Sequence, residues 1–106
     1  MDADDLLVVY TTVSNIEDAQ MLARGAVERR LAACVQIEAI QSVYRWKGEV
    51  QSELEQRIMF KTTNALYQQL ESMIAERHPY ELPAIFATPV VAASTAYAAW
   101  VREAVE

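Results

Sequence analysis

The sequence has few glycines, cysteines, histidines and prolines, and each shortage limits the kinds of site it can form. Its 106 residues include two glycines, one cysteine, one histidine and three prolines. With two glycines, a glycine-rich loop that holds phosphate groups is hard to build. One cysteine excludes an internal disulfide, and one cysteine with one histidine cannot close a tetrahedral metal site within one chain. No nucleophile, base and orienting residue form a recognisable set, so we expect no enzymatic activity.

Basic residues and long apolar runs are also scarce. Nine lysines and arginines stand against fifteen acidic residues, which gives a formal net charge of −6. This balance argues against binding to nucleic acid or to an anionic membrane. No run approaches the roughly 20 apolar residues of a membrane span, and the acidic residues 1–5 are unlike the start of a secretory signal. We expect a cytoplasmic protein that forms one domain over residues 1–106.

The first third of the chain predicts a strand followed by a helix. Residues 6–12 are a short apolar run, which is typical of a central strand buried on both faces. Ser14 and Glu17 have the spacing of a capping box, which opens a helix. Apolar residues at helical spacing then continue to about residue 32.

The second half of the chain predicts two further helices around a strand. Residues 64–77 have a helical apolar stripe, with Thr62 or Thr63 as the cap. Residues 84–91 are typical of a last strand, and Ser94 caps a final helix with Tyr97, Trp100, Val101 and Ala104 on its inner face. With the hairpin described next, the order is β-α-β-β-α-β plus a terminal helix. We therefore predict an α+β, ferredoxin-like sandwich with a long central hairpin and a C-terminal helix.

A long hairpin lies in the middle of the sequence. Residues 34–46 are rich in Val, Ile and Tyr, Gly48 supplies the positive φ of a tight turn, and residues 50–60 alternate between apolar and polar. In the first strand the apolar residues change from odd to even positions at Ile40, so they change face. Such a change predicts a bulge near residues 39–41. A strand of this length spans about 43 Å, whereas a compact chain of this size is about 33 Å across. The hairpin should overshoot its own subunit, and we expect an oligomer that covers it.

Five motifs carry a resemblance to a known family over most of the chain. In one-letter code they are LAACV at 31–35, SVYRWKG at 42–48, FKT at 60–62, HPYELP at 78–83, and the pair Tyr97 and Trp100. In this order and spacing they resemble the CutA family of divalent-cation tolerance proteins. The resemblance implies a ferredoxin-like homotrimer in which each long hairpin embraces a neighbour.

The sequence departs from the family pattern at three places. Gln36, Ile37, Glu38 and Ala39 replace the usual Asn-Ile and Pro-Gly, and Ala84 replaces a glutamate after the HPYELP motif. Thr11 stands where a copper-binding member has a cysteine. Since two possible ligands are missing, we expect weak binding of divalent metal, with Cu²⁺ favoured over Zn²⁺.

Three residues are candidate metal ligands. His78 is the only histidine, and Glu81 follows it on a loop bounded by prolines. Cys34 could supply a thiolate, although a buried free cysteine is commonly a small core residue. The alternative for His78 is that its ring nitrogens bond to the backbone of a fixed turn. Glu49, Glu53 and Glu55 could also attract hard cations, but we expect them to be solvated strand surface.

Aromatic residues and one lysine are candidates for a ligand site or a subunit interface. Tyr44 and Trp46 lie near the hairpin tip, Tyr80 follows His78, and Trp100 lies in the last helix. Lys61 could bind an anion or pair with a carboxylate of another subunit. We predict a trimeric protein of the response to divalent metal ions. The alternative is a trimeric scaffold that binds a small molecule or carries a signal, resembling the nitrogen-regulatory PII proteins, without a metal function.

Overall fold

The computed structural model describes residues 1–106, which form four strands and three α-helices. A short 3-10 turn at Asn64–Leu66 precedes the second helix. The elements in chain order are β1 (Leu6–Val13), α1 (Ile16–Glu28), β2 (Cys34–Trp46), β3 (Glu49–Thr63), α2 (Tyr67–Arg77), β4 (Phe86–Pro89) and α3 (Thr95–Ala104). None of the helices is both long enough and apolar enough to cross a membrane.

The four strands form one antiparallel sheet in the order β2-β3-β1-β4. This order confirms the predicted α+β, ferredoxin-like fold. The centre of the sheet holds β1, as its apolar sequence predicted. The long β2 and the four-residue β4 are the edge strands, and β4 is shorter than the predicted 84–91.

The core lies between one face of the sheet and the helices α1 and α2. Val9, Phe60 and Ile58 project from the sheet and are fully buried against the helices. Helix α1 contributes Ala19, Leu22 and Ala26, and α2 contributes Leu70, Met73 and Ile74. Because strand side chains alternate between faces, the residues between these sheet positions point to the other face, which α1 and α2 do not cover.

Both ends of α1 differ from the prediction. Asn15, not Ser14, caps the helix, and its side chain accepts a 2.8 Å hydrogen bond from the N–H of Asp18. The helix ends at Glu28 because Arg30 takes a positive φ of 58°, which turns the chain towards β2. The predicted continuation to about residue 32 was therefore wrong.

The predicted caps of the later helices have mixed outcomes. Thr63 makes no capping hydrogen bond, and the Thr62 hydroxyl donates to the carbonyl of Leu31 at 2.7 Å. Ser94 caps α3 as predicted, by accepting from the N–H of Tyr97. The inner face predicted for α3 is only partly buried. Val101 is buried, whereas Tyr97 and Trp100 are exposed on this single chain.

The hairpin is regular from its base to its tip. Lys47 and Gly48 both have positive φ, 51° and 83°, which is the backbone of a two-residue type I′ turn. Strand β2 pairs with β3 without interruption, from Cys34 opposite Lys61 to Trp46 opposite Glu49. The predicted bulge near residues 39–41 is wrong. The apolar phase changes at Ile40 because the hairpin there leaves the cover of the helices.

The hairpin makes the molecule elongated. The radius of gyration is 14.3 Å and the principal extents are 44 × 26 × 21 Å, whereas a compact chain of this length would have a radius of gyration near 13 Å. The accessible surface of 6484 Å² exceeds the roughly 6,000 Å² of a compact protein of this mass. The predicted overshoot of the hairpin is confirmed.

Candidate functional site

The His78 side chain is fixed at the end of β1 by both ring nitrogens. Its Nδ1 accepts a hydrogen bond from the backbone N–H of Tyr80 at 3.1 Å. Its Nε2 lies 2.9 Å from the carbonyl oxygen of Thr12 and 3.0 Å from the hydroxyl of Thr11. Because a carbonyl can only accept and Nδ1 already accepts, Nε2 carries the proton and the ring is neutral.

The surroundings of His78 favour this neutral state. Partial burial lowers the pKa of His78 below its ordinary value, and this effect outweighs the bond to Thr12 and the charges of Asp18 and Glu55. The ring packs edge-on against Tyr80, with 4.8 Å between ring centroids. The lone pair of Nδ1 is thus used within the protein, and a metal ion could reach it only in place of the Tyr80 N–H.

Two tyrosine–glutamate pairs lie near His78 on the sheet face that α1 and α2 leave uncovered. The Tyr80 hydroxyl donates to Oε2 of Glu55 at 2.7 Å, and the Tyr44 hydroxyl donates to Oε1 of Glu53 at 2.5 Å. Burial, followed by the bond to Glu55, raises the pKa of Tyr80, and the bond to Glu53 raises the pKa of Tyr44 to about 12. Both phenols therefore stay protonated and act as donors.

Glu55 is buried, with 6% of its surface exposed. This corrects the expectation that Glu49, Glu53 and Glu55 are all solvated strand surface, since only Glu49 and Glu53 are exposed. Tyr80, on the loop after α2, reaches the carboxylate of Glu55 and donates a hydrogen bond to it. This pair has no sequence signal, because the two residues are 25 positions apart and Glu55 lies in the polar half of the strand's alternation, as an exposed strand residue would.

An open groove of about 790 Å³ lies between the hairpin and the loop that contains Tyr80. Its walls include the aromatic side chains Tyr44, Trp46 and Tyr80 and the acidic side chains Glu53, Glu55 and Glu81. No lysine or arginine is among the lining residues. Four of these six, namely Tyr44, Trp46, Tyr80 and Glu81, are site residues predicted from the sequence.

The three predicted metal ligands do not come together. Glu81 is exposed and lies 3.8 Å from Nζ of Lys47 at the hairpin tip. Cys34 is at the base of β2, opposite Lys61, whereas Tyr44 and Trp46 lie at the far end of the same strand. No group of three or more His, Cys, Asp or Glu side chains is arranged to hold a metal ion. The residues of one chain therefore do not form a ready coordination site for the metal that the family resemblance implies.

The remaining predicted residues lie apart from the groove. Nζ of Lys61 donates to Oε1 of Gln36 at 2.6 Å on the uncovered face of the sheet. Trp100 stacks on Tyr97, with 5.9 Å between ring centroids. Burial and the proximity of Cys34 raise the pKa of Tyr97. Helix α3 packs against β3. Thr12, which holds His78, was missed as a site residue because strand threonines are common, and Thr11 was noted only as the replacement for a cysteine.

The antiparallel order of the sheet and the long hairpin define a ferredoxin-like protein with an extended arm. Residues 7–104 match the sequence model of the family described as CutA1 divalent ion tolerance protein. The chain belongs to this family.

Relatives with curated names agree with this assignment. The chain is 40% identical over 97 residues to the divalent-cation tolerance protein CutA of Thermus thermophilus, which covers 91% of this chain and 94% of that protein. It is 39% identical over 97 residues to the chloroplastic protein CutA of Arabidopsis thaliana, over 91% of this chain. The match spans only 53% of the Arabidopsis protein, about half of its length.

Solved structures show the same fold. CutA from Synechococcus elongatus superposes with a TM-score of 0.93 at 42% identity, covering 100% of this chain and 95% of that one. A protein from Archaeoglobus fulgidus, described as a periplasmic divalent cation tolerance protein, superposes with a TM-score of 0.93 at 29% identity, covering 95% and 99% of the two chains.

Proposed function

We propose that this chain is a non-enzymatic, cytoplasmic homotrimer of the response to divalent metal ions, and that it binds metal weakly. The main support for a trimer is the apolar surface of the projecting hairpin. Val43, Val50 and Leu54 lie on one face of the hairpin and are 68%, 65% and 71% exposed. A contiguous apolar surface of this kind is unusual on a monomer and is typical of an interface.

The sheet edges support the same assembly. Strand β2 bonds only to β3, so its outer edge presents unpaired backbone groups over 13 residues. Strand β4 is open on the other edge of the sheet. When two different surfaces of identical subunits pair head to tail, the subunits form a closed ring if the rotation between neighbours divides a full turn evenly. The family resemblance implies a ring of three. Trp46 and Tyr44 on the hairpin, and Trp100 on α3, are the aromatic residues available to such an interface.

Metal binding in this proposal is weak for a structural reason. His78 becomes a ligand only if its Nδ1 loses the hydrogen bond from Tyr80, and Glu81 is held by nothing stronger than an exposed ion pair with Lys47. Coordination thus has to be assembled from groups that already have partners. For the nitrogen and oxygen ligands concerned, Cu²⁺ should bind more tightly than Zn²⁺.

A second candidate function is a trimeric scaffold that binds a small organic molecule. The groove of about 790 Å³, with three aromatic rings in its walls, favours this candidate. Native mass spectrometry of the metal-free protein, titrated separately with Cu²⁺, Zn²⁺ and small organic compounds, tests both candidates. A mass near three times 12.0 kDa with saturable metal uptake supports the first proposal. A monomer that takes up no metal would contradict it.

A further inference from the structure

We draw no further inference here: the strongest candidate, an open polar pocket of about 430 Å³ between the end of α1 and α2, carries nothing, because its polar lining residues Arg29, Gln68, Gln69, Ser72 and Glu76 are all exposed, no buried polar side chain there lacks a hydrogen-bond partner, and nothing in the structure shows what covers it.

Discussion

The backbone N–H of Tyr80 donates to Nδ1 of His78, two residues earlier, and the hydroxyl of the same Tyr80 donates to Glu55. One tyrosine thus links the only histidine of the chain to its most deeply buried carboxylate. The histidine in turn holds the end of β1 through Thr12. This chain of contacts joins the loop after α2 to both β1 and β3, and it decides what His78 can do.

We expect His78 to remain neutral below the pH at which an exposed histidine gains its proton. Its pKa is lowered by burial in the folded state, whereas the unfolded value is about 6.5. Below pH 6.5 the unfolded chain therefore binds more protons at this site, and the stability that His78 contributes falls as the pH is lowered. Above pH 6.5 that contribution is fully present. Titration of the His78 ring protons by NMR should give a midpoint below 6.5.

A variant separates this effect from the titration of carboxylates. Denaturant unfolding of the wild type and of His78→Asn, at pH 7.5 and at pH 5.5 and at one protein concentration, compares the two. The wild type should lose more stability between these pH values than His78→Asn does. An NMR midpoint at or above 6.5, with equal losses in the two proteins, would mean that the ring is not held in the neutral state.

We expect Leu54→Ser to weaken the trimer. In a single chain this side chain is 71% exposed, so its replacement should change the stability of a monomer by no more than about 0.5 kcal/mol. In a trimer that covers the hairpin, the same change removes a buried apolar contact and costs about 1.5–3 kcal/mol. Trp46→Ala should weaken assembly by about 2 kcal/mol or more, since aromatic anchors carry much of the energy of an interface.

Analytical ultracentrifugation at micromolar concentration measures this prediction. Val27→Ser, on the exposed side of α1, is the matched control and should leave the mass unchanged. Glu55→Ala cannot serve as a control, because Glu55 is buried and bonded to Tyr80. A wild-type protein that sediments as a 12.0 kDa monomer would remove the basis for the trimer.

We expect Cu²⁺ to bind in the micromolar range and more tightly than Zn²⁺. If His78 is a ligand, His78→Ala should lose most of this affinity, and binding in the wild type should weaken as the pH falls, because protons compete for the ring. Calorimetry at pH 7.5 and pH 6.0 on both proteins measures this. Equal affinities in the wild type and His78→Ala would assign the bound metal to surface carboxylates, with Glu81→Gln as the next variant to compare.

The fold could be predicted from the sequence because its determinants are local or periodic. Gly48 marked the turn, the alternation after it marked β3, and the apolar run of β1 marked the centre of the sheet. The errors arose where long-range packing decides the outcome. The phase switch at Ile40 indicated a bulge, but the strand is regular and passes beyond the helices.

The candidate site was harder to predict for the same reason. His78, Tyr80 and Glu81 belong to one continuous motif, so the sequence alone could single out this loop as a candidate site. The partners that determine their chemistry, Thr12 and Glu55, are distant in sequence and have no distinguishing pattern. Tyr97 and Trp100 on α3 follow the predicted helical spacing, but both are exposed on the single chain.

The two glycines give a final prediction, because alanine should have opposite effects at the two positions. Gly48 has a φ of 83° and open space around an added Cβ, so Gly48→Ala should destabilise the hairpin through backbone strain alone, by about 1–2 kcal/mol. Gly25 lies inside α1, where alanine favours the helix by about 0.5–1 kcal/mol. The added Cβ would come within 3.0 Å of Nη1 of Arg77, the mobile end of a long side chain that can move aside.

Denaturant unfolding of both variants and the wild type, at a fixed protein concentration, measures the difference. We expect Gly48→Ala to unfold at a lower denaturant concentration than the wild type, and Gly25→Ala at the same concentration or a higher one. Gly48→Asn is the control for the turn, since asparagine tolerates a positive φ better than alanine and should recover part of the loss. A Gly48→Ala protein as stable as the wild type would show that the type I′ turn is not maintained in solution, and that the hairpin tip adopts another backbone path.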